Sequence, residues 1–226
     1  PPSPILPPVS PPVAPPVSPP TVPPSSFETR EYLGSNFSSG NRSGLAQIHA
    51  SSAYALGATG KGITVAIIDS NVDTSISELQ GQVTGLHDVN ATGRSSTDID
   101  ADGHGTLVSS VIVARKDGVG VHGVAYEAKV LSIRADTHDS CANTAEDEGC
   151  SFSDSSLITA INYAVSNGAK IINMSLGGDG NISAQLKAAI VSATNSGVLF
   201  AISAGNDGAA PTSTAAAEGI RPSEPA

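Results

Sequence analysis

The sequence ITVAIID at residues 63–69 is an almost unbroken apolar run that ends at a carboxylate. Five of its first six residues are β-branched, which is typical of a strand buried on both faces of a sheet. The chain has three further runs of this kind, at residues 130–133, 170–174 and 198–204. These four runs predict the strands of a parallel sheet.

Helical periodicity fills the spaces between the later runs. Residues 154–167 place Leu157, Ile161 and Ala164 on one face, and residues 183–196 repeat the pattern before Gly197. Strands that alternate with helices form right-handed parallel crossovers. The sequence therefore predicts an α/β fold in which a parallel sheet carries helices on both faces.

The composition divides the chain into two parts. Thirteen of the 16 prolines lie in residues 1–24, and the first charged residue is Glu28. We predict a polyproline spacer over residues 1–26, since proline lacks the amide donor that helices and central strands need. A PxxP ligand is the alternative, which the lack of a flanking basic residue disfavours. Residues 27–226 are predicted to form one folded domain.

Charge and hydropathy exclude several classes of protein. The net charge of −10 has the wrong sign for neutralising nucleic-acid phosphates, so no nucleic-acid partner is predicted. No apolar run approaches the roughly 18 residues of a membrane span. Cys141 and Cys150 are predicted to form a local disulfide, which indicates an oxidising, extracellular compartment. Two unpaired thiols in a cytosolic loop are the alternative.

Polar residues follow the predicted strands at the point where each strand ends. Asp69 closes the first run, Ser175 follows the third and Asn206 follows the fourth, while His104 opens the apolar stretch 107–113. The carboxyl ends of parallel strands meet at one edge of the sheet, where α/β proteins gather their chemistry. A carboxylate, an imidazole and an amide are the groups that acyl transfer needs besides its nucleophile.

Four motifs in this order resemble those of subtilisin-like serine peptidases. They are Asp69-Ser70, His104-Gly105-Thr106, Ser175-Leu176-Gly177-Gly178 and Ala204-Gly205-Asn206, and the resemblance extends from about Leu45 to Gly208. The proline-rich extension and the glycine-rich, lysine-poor body also resemble the passengers of autotransporter subtilases of Gram-negative bacteria. The resemblance makes residues 27–226 a partial, C-terminally truncated subtilisin-like domain, secreted or displayed at a cell surface.

The resemblance implies a role for each motif. Asp69 would fix the tautomer of His104, and His104 would act as general base and then as general acid. Asn206 would donate its amide to the oxyanion. Ser175, Leu176 and Gly177 would form the edge that pairs with an extended polypeptide substrate. The implied activity is that of a serine endopeptidase.

The sequence departs from the family pattern at several positions. Asn71 stands where glycine is usual, which we expect to be a mild change because Asn tolerates a positive φ better than other non-glycine residues. Leu107 stands where a second histidine is common. The family's Gly-Thr-Ser-x-Ala-x-Pro nucleophile motif is absent, and Ser213 lies only seven residues after Asn206, too close to serve. We therefore expect the 226-residue chain to be inactive.

No cofactor is implied for catalysis, and a structural calcium ion is left open. The segment 118–123 resembles the calcium loop of the family, with Asp117 and Glu78 as carboxylate ligands, but Arg115 replaces an uncharged residue. The acidic run 98–103 begins like an EF-hand loop but has Ser109 where a bidentate glutamate is required. Four other histidines lack partners at ligand spacing and are predicted to lie at the surface or in loops: His49, His87, His122 and His138.

Two classes of function remain at this point. The first is a serine endopeptidase whose nucleophile lies outside this sequence. The second is a non-catalytic, subtilisin-like binding or adhesion module of a surface-displayed protein. A natural gene that continues into a Gly-Thr-Ser segment would favour the enzyme.

Overall fold

A computed structural model of the chain describes residues 23–34, 44–90, 103–120, 122–138, 140–142, 150–177 and 182–204. Of the predicted spacer over residues 1–26, only residues 23–26 lie within these ranges, and there the polyproline prediction is wrong at its last residues, because Pro24–Phe27 form a 3₁₀ helix. Asn206 and Ser213 also lie outside them.

The described residues form a parallel sheet with the strand order β2-β3-β1-β4-β5. The strands are β1 (Thr64–Asp69), β2 (Val83–Asp88), β3 (Lys129–Arg134), β4 (Ile171–Met174) and β5 (Leu199–Ile202). The helices are α1 (Arg30–Leu33), α2 (Gly44–Gln47), α3 (Ala50–Ala55), α4 (His104–Val113), α5 (Asp154–Ser166) and α6 (Ala184–Asn195). The α/β fold with a parallel sheet is confirmed.

Strand β1 lies at the centre of the sheet and is the most buried. Ala66, Ile67 and Ile68 are fully buried, and the strand pairs with β3 on one side and β4 on the other. Its alternate side chains enter two different cores, because neighbouring residues of a strand point to opposite faces. Ala66 and Ile68 pack with α5 and α6, whereas Val65 and Ile67 pack with α4.

Helices α5 and α6 begin and end where their sequences predict. Ser153 and Ser183 cap their first turns by accepting the amide N–H of Ser156 and Leu186, at 3.1 Å in each case. Gly168 and Gly197 follow the last turns with φ of 79° and 87°. A positive φ at these positions is the conformation that favours glycine after a helix.

The N-terminal part of the described chain packs as a separate aromatic cluster. Tyr32 and Tyr54 are almost fully buried, and Phe27 and Tyr126 pack against them. The Tyr32 hydroxyl donates to the Leu45 carbonyl and accepts the Ser51 amide, so the cluster also satisfies its polar atoms. This cluster joins residues 27–34 and 44–54 to the loop between α4 and β3.

Candidate active site

The end of β1 and the beginning of α4 bring a carboxylate and an imidazole into contact. The Nδ1 atom of His104 lies 2.8 Å from Oδ1 and 3.0 Å from Oδ2 of Asp69. The Asp69 side chain is only 1% exposed, whereas the His104 side chain is 45% exposed. The pair therefore has a buried acid behind a ring that opens toward solvent.

This contact selects one tautomer of the neutral imidazole. A carboxylate can only accept, so Nδ1 must carry the proton that it donates to Asp69. In the neutral ring, Nε2 is then the basic nitrogen. A base oriented in this way can take a proton from a hydroxyl and later return it.

Ser70 links the acid to the helix that carries the histidine. Its amide N–H donates to Asp69 Oδ1 at 2.7 Å, and its hydroxyl lies 3.2 Å from the same oxygen. The hydroxyl also accepts the amide N–H of Gly105 at 3.2 Å. Because Ser70 is fully buried, these bonds hold the acid and the first turn of α4 in fixed relation.

The first turn of α4 lies very close to the loop after β1. Gly103, just before the helix, has a φ of 63°, and a Cβ on Gly105 would stand 2.5 Å from the Asn71 carbonyl oxygen. Thr106 adds a further bond, since its Oγ1 accepts the amide of Asp73 at 2.8 Å. The His104-Gly105-Thr106 sequence therefore suits both the turn and the approach.

The segment expected to bind substrate follows β4. Asn173 donates its side-chain amide to the Ser175 hydroxyl at 3.0 Å, and the Leu176 carbonyl accepts the Ser203 hydroxyl. Leu176 is buried in the core beside α5, while Gly177 is exposed. The structure thus anchors the segment at the carboxyl edge of the sheet, the same edge that carries Asp69.

The structure adds to the sequence-based expectations for Asn71 and His122. Asn71 has no positive φ, since His49 is the single non-glycine residue with one among the described positions. Replacement of the usual glycine by Asn71 therefore needs no special backbone conformation. His122 lies in the loop between α4 and β3, as expected, but it is buried: it is 2% exposed and packs among Tyr32, Tyr54 and Tyr126.

The predicted disulfide is present. Cys141 and Cys150 are bonded, and the loop they close leaves the sheet just after β3. Asp136, at the base of this loop, is fully buried and paired with Arg134 at 2.9 Å. Arg134 is the register partner of Asp69, so the loop begins at the same edge as the candidate site.

Comparison with known proteins identifies the family. The model of the peptidase S8 subtilase family matches residues 60–223. The chain belongs to the subtilase family.

Among curated subtilases, it is 35% identical over 167 residues to the major intracellular serine protease of Bacillus subtilis. It is 32% identical over 171 residues to subtilisin amylosacchariticus of Bacillus subtilis subsp. amylosacchariticus. These alignments cover 73% and 76% of this chain but only 49% and 41% of the relatives, so the chain spans less than half of their length.

Solved subtilase structures share the fold. Fervidolysin from Fervidobacterium pennivorans, a keratinolytic enzyme related to subtilisin, matches with a TM-score of 0.55 and 33% identity. That match covers 66% of this chain and 22% of fervidolysin. A protease of Pseudoalteromonas arctica matches with a TM-score of 0.56 and 29% identity, over 66% of this chain and 51% of the other. The comparisons of sequence and of structure therefore agree that the described residues have a subtilisin-like fold.

Two residues that contact the candidate site, Ser70 and Thr106, were not assigned a role from the sequence. Ser70 and Thr106 belong to the quoted motifs, but their bonds to Gly105 and Asp73 depend on the approach of α4 to β1. The small polar residue next to Asp69 was the one feature of the sequence that could have indicated the role of Ser70.

A membrane-spanning helix is not found among the residues that the structure describes.

Proposed function

We propose that the chain is part of a serine endopeptidase that hydrolyses peptide bonds of proteins. The observation that carries the proposal is the contact between the buried Asp69 carboxylate and Nδ1 of His104. Membership of the subtilase family supports it, because the curated relatives are named as serine proteases or subtilisins.

The chemistry proposed for the pair follows from its tautomer. Asp69 accepts from Nδ1 and stabilises the imidazolium that forms when Nε2 takes a proton from a serine hydroxyl. The serine oxygen then bonds to the scissile carbonyl carbon, and His104 returns the proton to the leaving amine as the C–N bond breaks. The serine is supplied from outside the described residues. Water repeats the sequence to release the acyl group.

Two further groups complete the proposed site. Asn206 donates its side-chain amide to the negatively charged oxygen of the tetrahedral intermediate. The backbone at Ser175, Leu176 and Gly177 pairs with an extended stretch of substrate, which favours cleavage within polypeptides of many sequences. The bond from the Ser203 hydroxyl to the Leu176 carbonyl supports this role, since it holds the backbone of the segment, and Asn173 orients the Ser175 side chain beside it.

The proposed setting is outside the cell. The Cys141–Cys150 disulfide supports it, because disulfides persist in oxidising compartments. Residues 1–26 would act as a spacer that holds the peptidase domain some 70 to 80 Å from whatever precedes it, at about 3.1 Å per residue. The partner is a polypeptide substrate, and the net charge of −10 disfavours nucleic acid.

Hydrolysis of an unstructured polypeptide by the full-length gene product tests the proposal. The wild-type protein should cleave casein, and His104→Ala should abolish cleavage while His138→Ala, which changes an exposed histidine, leaves it intact. Cleavage that survives His104→Ala would refute the mechanism. A full-length product that folds but cleaves nothing would favour the non-catalytic binding module instead.

A further inference from the structure

The family resemblance places a calcium ion at the segment 118–123, with Asp117 and Glu78 as ligands, and the structure describes the adjoining loop 115–120. Calcium takes six to eight oxygen ligands, usually including several carboxylates. Whether such an ion fits depends on how far the carboxylate oxygens near the loop are already engaged in hydrogen bonds and ion pairs. No group of three or more acidic, histidine or cysteine side chains with metal-binding geometry occurs among the described residues.

The buried carboxylate nearest the loop belongs to Glu31 of α1. Glu31 is 5% exposed, and its two oxygens accept the amide N–H groups of Asp117 at 3.1 Å and Gly118 at 3.0 Å. Two successive amides that point at one anion form the kind of concave site that binds negative charge. The loop therefore directs two amide donors toward Glu31.

The other two carboxylates are also engaged by groups of this chain. Asp117 accepts the Val119 amide at 3.2 Å, and its second oxygen lies 3.5 Å from the Arg115 guanidinium. Glu78 accepts the Ser77 hydroxyl. The hydrogen bond from the Ser77 hydroxyl, aided by one from the backbone of Glu78 itself and by the charge of Arg115, lowers the pKa of Glu78, while partial desolvation and the Asp117 charge oppose that shift.

Arg115 supplies positive charge at the place where a cation is expected. Its backbone N–H donates to the Glu78 carbonyl at 2.9 Å, and its guanidinium reaches both the Ser77 carbonyl and Asp117, each at 3.5 Å. A guanidinium carries a permanent charge with fixed donors, so it can take over the neutralising part of an ion's role. The residues present do not fit a calcium ion.

We propose that the Glu31 carboxylate and the Arg115 guanidinium hold the 115–120 loop to the N-terminal part of the domain in place of calcium. Glu31 fixes the loop by its two amides, 86 and 87 residues away in sequence. Arg115 balances Asp117 and ties the loop to residues 77 and 78. The contacts that hold the loop are therefore made by residues of this chain and do not depend on metal concentration.

Thermal unfolding of the 226-residue chain in excess EGTA and in millimolar CaCl₂ tests the proposal without requiring any activity. A site filled at 100 times its dissociation constant would raise the midpoint by roughly 5 to 10 °C. We expect equal midpoints in the two buffers. A rise of this size in calcium would overturn the proposal, whatever the peptidase proposal's fate.

Two variants test whether the Glu31 carboxylate holds the 115–120 loop. Glu31→Gln keeps the size of the side chain but turns a donor toward one of the two amides, so it should lower the midpoint by roughly 3 to 6 °C. Faster hydrogen exchange should appear at the amides of Asp117 and Gly118. Glu78→Gln is the matched control and should change neither quantity. A normal midpoint and normal exchange in Glu31→Gln would overturn the proposal. So would a large fall of the midpoint in Glu78→Gln together with a rise of the wild-type midpoint in calcium.

Discussion

A Cβ atom on Gly105 would stand 2.5 Å from the carbonyl oxygen of Asn71. The two residues belong to α4 and to the loop after β1, the elements that carry His104 and Asp69. A carbon and an oxygen atom cannot lie this close without a shift of the backbone. The absence of a side chain at Gly105 therefore allows α4 to approach the loop after β1 as closely as it does. The geometry of the candidate catalytic pair therefore depends on one glycine.

Gly105→Ala should separate the pair. Overpacking of a buried site typically costs about 1 to 3 kcal/mol, and here the helix must shift away from β1 to relieve it. Chemical denaturation should show the loss of stability, and the full-length protein should lose peptidase activity as well. Gly44→Ala is the control, because a Cβ there meets nothing within 4 Å. Equal stability and activity in the two variants would contradict this account.

Ser70→Ala should weaken the link between Asp69 and α4. The variant removes the acceptor of the Gly105 amide and a hydroxyl beside Asp69, both buried. Loss of buried hydrogen bonds of this kind costs about 1 to 3 kcal/mol. Urea unfolding measures the loss, with the exposed Ser52→Ala as control. In the full-length protein, we expect kcat to fall while KM changes little, and a change confined to KM would argue against a positioning role.

The stability of the domain should depend on pH through His122. Burial lowers the pKa of His122, aided by the Lys116 charge and opposed by the Gly123 carbonyl and Glu31. Between this lowered pKa and the ordinary value near 6.5, the unfolded chain binds more protons than the folded one. Stability should therefore rise with pH across that window and be lost as the pH falls.

Unfolding midpoints measured from pH 5 to pH 8 check this prediction. His122→Leu removes the titrating ring from the aromatic cluster, so its midpoint should vary less over the window than that of the wild-type chain. The comparison concerns the slope with pH and does not require the variant to match the wild type in absolute stability. A variant that keeps the full wild-type slope would exclude His122 as its source.

Reduction of the disulfide should destabilise the chain modestly. The cross-link joins residues nine apart in sequence, and closing so short a loop stabilises a domain by about 2 to 3 kcal/mol. A phosphine reductant should therefore lower the unfolding midpoint of the wild-type chain. The double variant Cys141→Ser with Cys150→Ser should start from the lower midpoint and not respond. An equal response in both would mean that the reductant acts elsewhere.

The central elements could be predicted from the sequence because their signals are local. Strand β1 is a continuous run of buried apolar residues, and α5 carries its own cap at Ser153 and its own glycine at Gly168. Strand β2 could not be predicted in this way. It lies at the edge of the described sheet, is mostly half-buried and contains Thr84, so it lacks a strong apolar pattern.

The proximity of Asp69 and His104 could be predicted, but their surroundings could not. Asp69 follows a continuous apolar run, and His104 stands just before the apolar stretch 107–113, so the sequence indicates both positions. The bonds of Glu31 to the 115–120 loop and the burial of His122 depend on how the N-terminal segment packs. Such contacts join residues far apart in sequence, and no local pattern encodes them.

Covalent labelling by a serine-directed phosphonate tests the central claim most directly. The claim is that Asp69 and His104 together activate a serine located outside the described residues. The full-length protein should be labelled at one serine other than Ser213. Asp69→Asn should slow the labelling by about 10⁴-fold, the scale seen when the orienting acid of a serine-protease triad is replaced. Labelling of Ser213, or an unchanged rate in Asp69→Asn, would contradict the claim.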